Sequence, residues 1–315
     1  MRRASSDSNA ARATSGQGGI GGTGEAHPNG GLGASKPDLA PGLYLVATPI
    51  GNLADITLRA LEVLRAADRI CAEDTRVTHR LLARYGIKKP LEPYHDHNAT
   101  AARPKILAAL RRGERVALVS DAGTPLVSDP GYKLVRAAIA DGICVSAAPG
   151  PSAALAALVL SGLPPDAFFF GGFLPPRSAA RRRALEGCKG LAATLVFFEG
   201  PSRLAASLAD MAETLGDRPA AIARELTKLH EEVRRGRLGE LAAHYRQRGP
   251  PRGETVIVVG PPEPEAALLG DIDARLEAAL QGHGVREAAA RVAAELGLPR
   301  RLVYRRALEL ERARG

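Results

Sequence analysis

Cysteine is scarce in this chain: Cys71, Cys144 and Cys188 are its only thiols, far apart and outside any CxxC or Cys/His cluster. That spacing gives no disulfide framework and no zinc site, so three small buried thiols are the expectation. Long apolar runs are missing too. Nothing approaches the roughly 18 consecutive apolar residues of a membrane-spanning helix, and the opening "MRRASSDSNAARATSG" lacks the apolar centre of a secretory signal. A soluble cytoplasmic protein is expected. There is no GxxxxGK(S/T) loop, which argues against a nucleoside triphosphate because no Lys is placed for the β- and γ-phosphates. The loop after the first predicted strand lacks GxGxxG, and "AED" (Ala72 to Asp74) after the second is too weak to replace it. "GQGGIG" (Gly16, Gly18, Gly21) matches that pattern with no strand before it and no amphipathic helix after it, an accident of composition. No internal repeat is present.

What is abundant is positive charge and α/β patterning. Lys and Arg number 43 against 34 Asp and Glu, a formal net charge of +9, which favours a polyanionic partner through counterion release. The 315 residues, 45% hydrophobic, suffice for about two domains and a sizeable core. Residues 1–41, rich in Gly, Ser, Ala and Asn, are expected to form a disordered tail. From "GLYLVATPIGN" onward, short apolar runs alternate with helical periodicity, as in strands and crossover helices around a mainly parallel sheet. The predicted strands of residues 42–150 are "LYLVA", "RICAE", "LEPY", "RVALVS" and "ICVSA". A second α/β block, 151–262, has "AFFFGGF", "ATLVFFEG", "AAIARE" and "TVIVVG". Residues 263–315 then read as a Pro/Glu linker and two amphipathic helices at helix-turn-helix spacing.

In an open α/β sheet, ligands bind beyond the carboxyl ends of the strands. Three loops there combine Gly and Pro with a hydroxyl or carboxylate: "ATPIGN" (Ala47 to Asn52), "SDAGTPLVSDPG" (Ser120 to Gly131) and "APGPSAA" (Ala148 to Ala154). Turn chemistry explains any one of them; three on one rim point to a small-molecule site. Asp121 and Asp129 each read either as an anion for a cationic ligand or as a turn or helix cap, Asp129 directly preceding Pro130 at a helix first turn.

"LYLVATPIGNLADITLRALEVLRAADRICAEDTR", "HDHN", "VALVSDAGTPLVSDPGYKLVRAA", "APGPSA", "FGGFLP", "FFEGPSRL", "ARELTK" and "RGETVIVV" resemble the ribosomal RNA small-subunit methyltransferase I family, within the tetrapyrrole methylase-like, class III S-adenosylmethionine enzymes. The likeness runs in order from about Leu43 to Val259. It implies two α/β domains with S-adenosylmethionine in the cleft between them, a homodimer, and methylation of the ribose 2′-oxygen of a decoding-centre cytidine in 16S rRNA or the 30S subunit. Carried onto this chain, the cofactor contacts become Thr48, Pro49 and Gly51; Asp121, Gly123, Thr124, Pro125 and Val127; and Pro149, Gly150, Ser152 and Ala153. The group's "GDP" turn reads "GTP" here, which leaves open which side chain takes the aspartate's place. Tetrapyrrole or diphthamide-precursor methylation is the neighbouring reading, although those relatives carry "GxGPGD" and "GGDP". A DNA-binding regulator using the C-terminal helices is the reading from another class.

Methyl transfer needs mainly alignment of the acceptor hydroxyl, with help from a proton acceptor. Glu199, Glu225, Lys228 and Glu254 are the candidates, each equally readable as a structural ion-pair member, and Lys228 only with a lowered pKa. His95, Asp96, His97 and Asn98 are assigned to substrate or domain contacts or a capped helix start, without a metal. RNA contact is expected from exposed guanidinium groups: Arg177, Arg181, Arg182 and Arg183 on one helix, Arg76 and Arg203 near the cleft, and Arg300, Arg301, Arg305 and Arg306 at the C-terminus.

Overall fold

A computed structural model describes residues 39–262 and 266–314; the expected N-terminal tail lies almost wholly outside them. The first block is a parallel five-stranded sheet ordered β3-β2-β4-β1-β5. Its strands are β1 (Gly42–Val46), β2 (Arg69–Ala72), β3 (Leu91–Pro93), β4 (Arg115–Val119) and β5 (Val145–Ala148). The central runs "GLYLV" and "RVALV" are apolar almost throughout because both faces are covered. Alternation sorts their side chains. Tyr44, Val46, Ala117 and Val119 pack with Leu61 and Leu64 of α1 (Leu58–Ala66) and Leu81 of α2 (Thr75–Arg84). Leu43, Val116 and Leu118 pack on the other face with Ile106 of α3 (Ala99–Arg111) and Leu134 of α4 (Tyr132–Ala140). Asn98 stands at the start of α3, but its carboxamide accepts from the His95 amide and donates to the Pro93 carbonyl, tying the "HDHN" turn to β3.

The helix α5 (Ala153–Ser161) leads out of β5 and packs beneath a second sheet ordered β6-β7-β10-β8-β9. Here β6 (Phe168–Phe173) and β7 (Thr194–Glu199) run parallel, while β10 (Thr255–Val259), β8 (Pro219–Arg224) and β9 (Glu232–Arg237) pair antiparallel. The strand β9, "EVRRGR", escapes apolar periodicity because it is a charged edge, the composition that discourages further strand pairing. On one face Ala154, Ala157 and Leu158 of α5 meet Val196, Ala221 and Val258, joined by Ile50 from the β1 loop. The opposite face is covered by α6 (Ser178–Glu186), α7 (Leu204–Leu215) and α8 (Leu238–Arg248).

The described C-terminal residues form three helices where two were expected: α9 (Ala266–Ala279), α10 (Val285–Leu296) and α11 (Arg300–Arg314). α9 contributes Ile272 and Leu276 to a core with Ala289, Val292 and Val303. The sequence reading places its two helices from Gly284 onward and makes no helix of this segment.

Candidate active site

The three rim loops are stitched together by backbone. The Thr48 and Gly123 amides each donate to the other's carbonyl at 2.9 Å. The Thr48 hydroxyl, buried, donates to the Ser120 carbonyl at 3.1 Å, and the Thr124 hydroxyl to the Pro151 carbonyl at 3.2 Å. A Cβ on Gly150 would lie 3.1 Å from the Ala47 Cβ. Thr48, Gly123 and Gly150 therefore belong to the backing of the rim, and Pro49, Pro125 and Pro149 do not line the cleft, while Gly51 touches the "ELTK" loop: a Cβ there would lie 2.8 Å from the Leu226 carbonyl oxygen.

In front of this backing opens a cleft of about 300 Å³ between the sheets. The first block supplies Ile50, Asp121, Thr124, Val127, Ser128 and Asp129, with Ser152 and Ala153 at the start of α5. The second supplies Phe173, Phe198, the Glu199–Pro201 turn and Glu254–Val256. The Phe173 and Phe198 rings meet edge to face with centroids 5.5 Å apart. Among described residues, Leu126, Ser128, Glu225 and Thr227 are the non-glycine positions with positive φ. Two lie in the "SDAGTPLVSDPG" loop and two in "ELTK", the pattern of strain held at a functional site.

The cleft carries negative charge. Asp121 accepts the Asp74 amide at 2.8 Å, which fixes its carboxylate rather than making it a helix cap. Asp129, half-buried, has its carboxyl pushed up to about 6, chiefly by burial and also by Asp121, against the lowering effect of a Ser120 hydrogen bond. Burial likewise raises Glu73, with Asp129 and Asp121 adding to the shift. Such a floor favours a cation and opposes a polyphosphate.

Two candidate proton acceptors are committed elsewhere. Glu199 is buried, takes the Gly200 amide at 2.8 Å and the Ser207 hydroxyl at 2.5 Å, and pairs with Arg203 at 2.5 Å, so it braces the β7–α7 turn. Lys228 bonds Glu225 at 2.9 Å and reaches Glu254 at 3.7 Å. Its pKa is raised, first by the Glu225 hydrogen bond, so the amine is held protonated where a base must be free. Glu254 faces the cleft with its side chain 83% exposed.

The arginines sort just as sharply. Arg181, expected at the surface, is buried, bonded to Asp210 at 2.6 Å and to the Pro176 carbonyl. Three consecutive helical residues span about 200° of circumference, so one of them must face the sheet. Arg182 divides itself between Asp210 and Glu213, and Arg203 is held by Glu199 and the Leu174 carbonyl. Arg177 and Arg183 are exposed; Arg76, also exposed, pairs with Asp74 beside the cleft. Arg306 pairs with Asp273 and Glu309, whereas Arg300 and Arg301 are exposed around a concavity shared with Arg286 and Tyr304. Without Arg181, Asp210 keeps Arg182 and the Ser178 hydroxyl but loses a charged hydrogen-bonding partner, so Arg181→Ala is expected to cost about 1.5–3 kcal/mol in denaturant unfolding.

Residues 42–242 match the family model of tetrapyrrole (corrin/porphyrin) methylases, and residues 266–311 that of the RsmI C-terminal HTH domain. A ribosomal RNA small subunit methyltransferase I from Mesorhizobium japonicum is 56% identical over 88% of this chain and 95% of its own. The chain belongs to that family. Its relative in Escherichia coli O157:H7 is 47% identical over 85% of this chain and 94% of its own. In backbone the chain resembles diphthine synthase (TM-score 0.55, 17% identity, 69% of this chain and 89% of that one). It also resembles a uroporphyrin-III C-methyltransferase from Thermus thermophilus solved with S-adenosyl homocysteine (0.50, 22%, 69% and 96%). These two likenesses concern the fold. What the motifs did not mark as site is the Phe173 and Phe198 wall, although both rings lie within the family stretches "FGGFLP" and "FFEGPSRL".

Proposed function

We propose that this methyltransferase uses S-adenosylmethionine to methylate the ribose 2′-oxygen of a decoding-centre cytidine in 16S rRNA, acting in the cytoplasm on the small ribosomal subunit. The observation that carries this reading is the cleft itself, where two carboxylates and an aromatic wall meet at the junction of two sheets. The residues present fit the cofactor: the Asp121 carboxylate suits its cationic groups, and Phe173, Phe198 and Val127 suit an adenosine face. When bound, the cofactor supplies an electrophilic methyl carbon with a neutral leaving group. Asp121, fixed by the Asp74 amide, holds negative charge in place, and Asp129 takes the proton of the 2′-hydroxyl as its oxygen attacks. A carboxyl with a pKa near 6 is well matched to that transfer near neutral pH. Arg177, Arg183 and Arg76, with Arg300 and Arg301, hold the phosphate backbone. The test is incubation with labelled S-adenosylmethionine and small subunits from a strain lacking the enzyme. Label at a cytidine ribose, mapped as an alkaline-resistant linkage, is the expected result; label on a base or none would refute it.

A homodimer completes the proposal. On α5, Leu155 and Val159 lie one turn apart on a common face, 50% and 72% exposed, and apolar surface of this kind usually meets a partner. Val159→Asp is expected to shift the protein from dimer to monomer in analytical ultracentrifugation.

A further inference from the structure

On the same rim of the second sheet, next to the cleft, lies another concavity of about 340 Å³. Arg224 and Glu225 at the end of β8, His230 before β9, and His244, Tyr245 and Arg248 of α8 form its walls, closed by the Pro250–Arg252 turn. A Glu–Lys–Glu chain runs between the two openings, since Lys228 joins Glu225 on this side to Glu254 on the cleft side. The turn is pressed firmly into place: a Cβ on Gly253 would fall 1.9 Å from a Glu225 carboxylate oxygen.

Its acidic groups are already matched, Glu232 by Arg224 at 2.7 Å and Glu225 by Lys228 at 2.9 Å. Arg248 and Arg252 are exposed and have no ion-pair partner among the described residues. Burial, then the charges of Arg234 and Arg248, hold the His244 imidazole below its ordinary pKa, so it stays neutral beside them. Tyr245 is only 5% exposed; its ring belongs to the core and its hydroxyl, closed off from the concavity, lies against the Arg234 guanidinium.

We infer that this concavity binds the sugar-phosphate of the nucleotide adjacent to the methylated one, with Arg248 and Arg252 on the phosphodiester. The inference rests on the reading of the cleft as an RNA 2′-O-methylation site. A polynucleotide entering the cleft must continue along the rim, and this is the neighbouring opening with unmatched positive charge.

The full chain is tested with labelled S-adenosylmethionine and unmethylated small subunits. Arg248→Ala and Arg252→Ala are each expected to weaken subunit binding about 5- to 10-fold and to lower the slope of log affinity against log salt by about 1, with kcat and cofactor affinity unchanged. Unchanged affinity and salt slope in both arginine variants overturn the inference. Those results, with wild-type transfer intact, remove this subsite alone; no transfer by the wild type removes the reading of the cleft and the subsite with it.

Discussion

Asp129→Asn is expected to abolish methyl transfer, by about 10²- to 10⁴-fold as for loss of a general base, while leaving the protein more stable above pH 6. The stability sign follows from the direction of the shift. In the unfolded chain this carboxyl titrates near 3.8, whereas in the folded protein burial raises it to about 6. The folded state thus holds the proton more tightly, and stability is lost as pH climbs from about 4 to about 6, after which the full penalty persists. Asn carries no charge to desolvate and escapes that penalty. Its melting temperature should exceed that of the wild type at pH 7.5 by about 2–4 °C per kcal/mol recovered and match it at pH 4. The wild-type rate should fall as pH drops through about 6. A variant that keeps its activity, or a stability gain that is the same at both pH values, would separate Asp129 from the proton transfer proposed for it.

Gly51→Ala is expected to reduce S-adenosylmethionine affinity by more than about tenfold and to lower the melting temperature. The added methyl carbon would lie 2.6 Å from the Lys228 Cγ and 2.8 Å from the Leu226 carbonyl oxygen. The side chain can yield, but the carbonyl sits between Glu225 and Thr227, both already at positive φ, so the loop has little room to withdraw. Overpacking of this kind costs about 1–3 kcal/mol and would spread the two sheets' loops apart at the cleft. Gly190→Ala, where nothing lies within 4 Å of the new carbon, serves as the silent control. Calorimetric titration of cofactor into both variants reads the difference.

Much of the site could be read in the chain because a buried parallel strand announces itself as a short apolar run and its ligand loop must follow directly. Asp121, Thr124, Val127, Ser152 and Ala153 line the cleft for that reason. The strands β1 to β5 lie where the apolar runs place them. The signal fails where burial does not leave a period. The strand β9 is all charge and glycine apart from Val233, and α3 carries Pro104 in its interior, which interrupts the pattern a helix would otherwise show. Arg181 and Arg183 are the same residue type two positions apart, yet one is buried against Asp210 and the other faces solvent.

The family, the positions of the first sheet's strands and the identity of the rim loops were set by local sequence, since short apolar runs and turn-forming Gly and Pro act within a few residues of one another, whereas the order of those strands in the sheet was not. Which carboxyl is desolvated, which acid or amine is neutralised, and which aromatic rings close the cleft were decided only by the fold. Asp129 acquires its raised pKa, Glu199 its three donors and Lys228 its two carboxylates from residues distant in sequence or brought together by a tight turn. Electrostatic character depends on distance and burial in three dimensions, and a linear chain records neither.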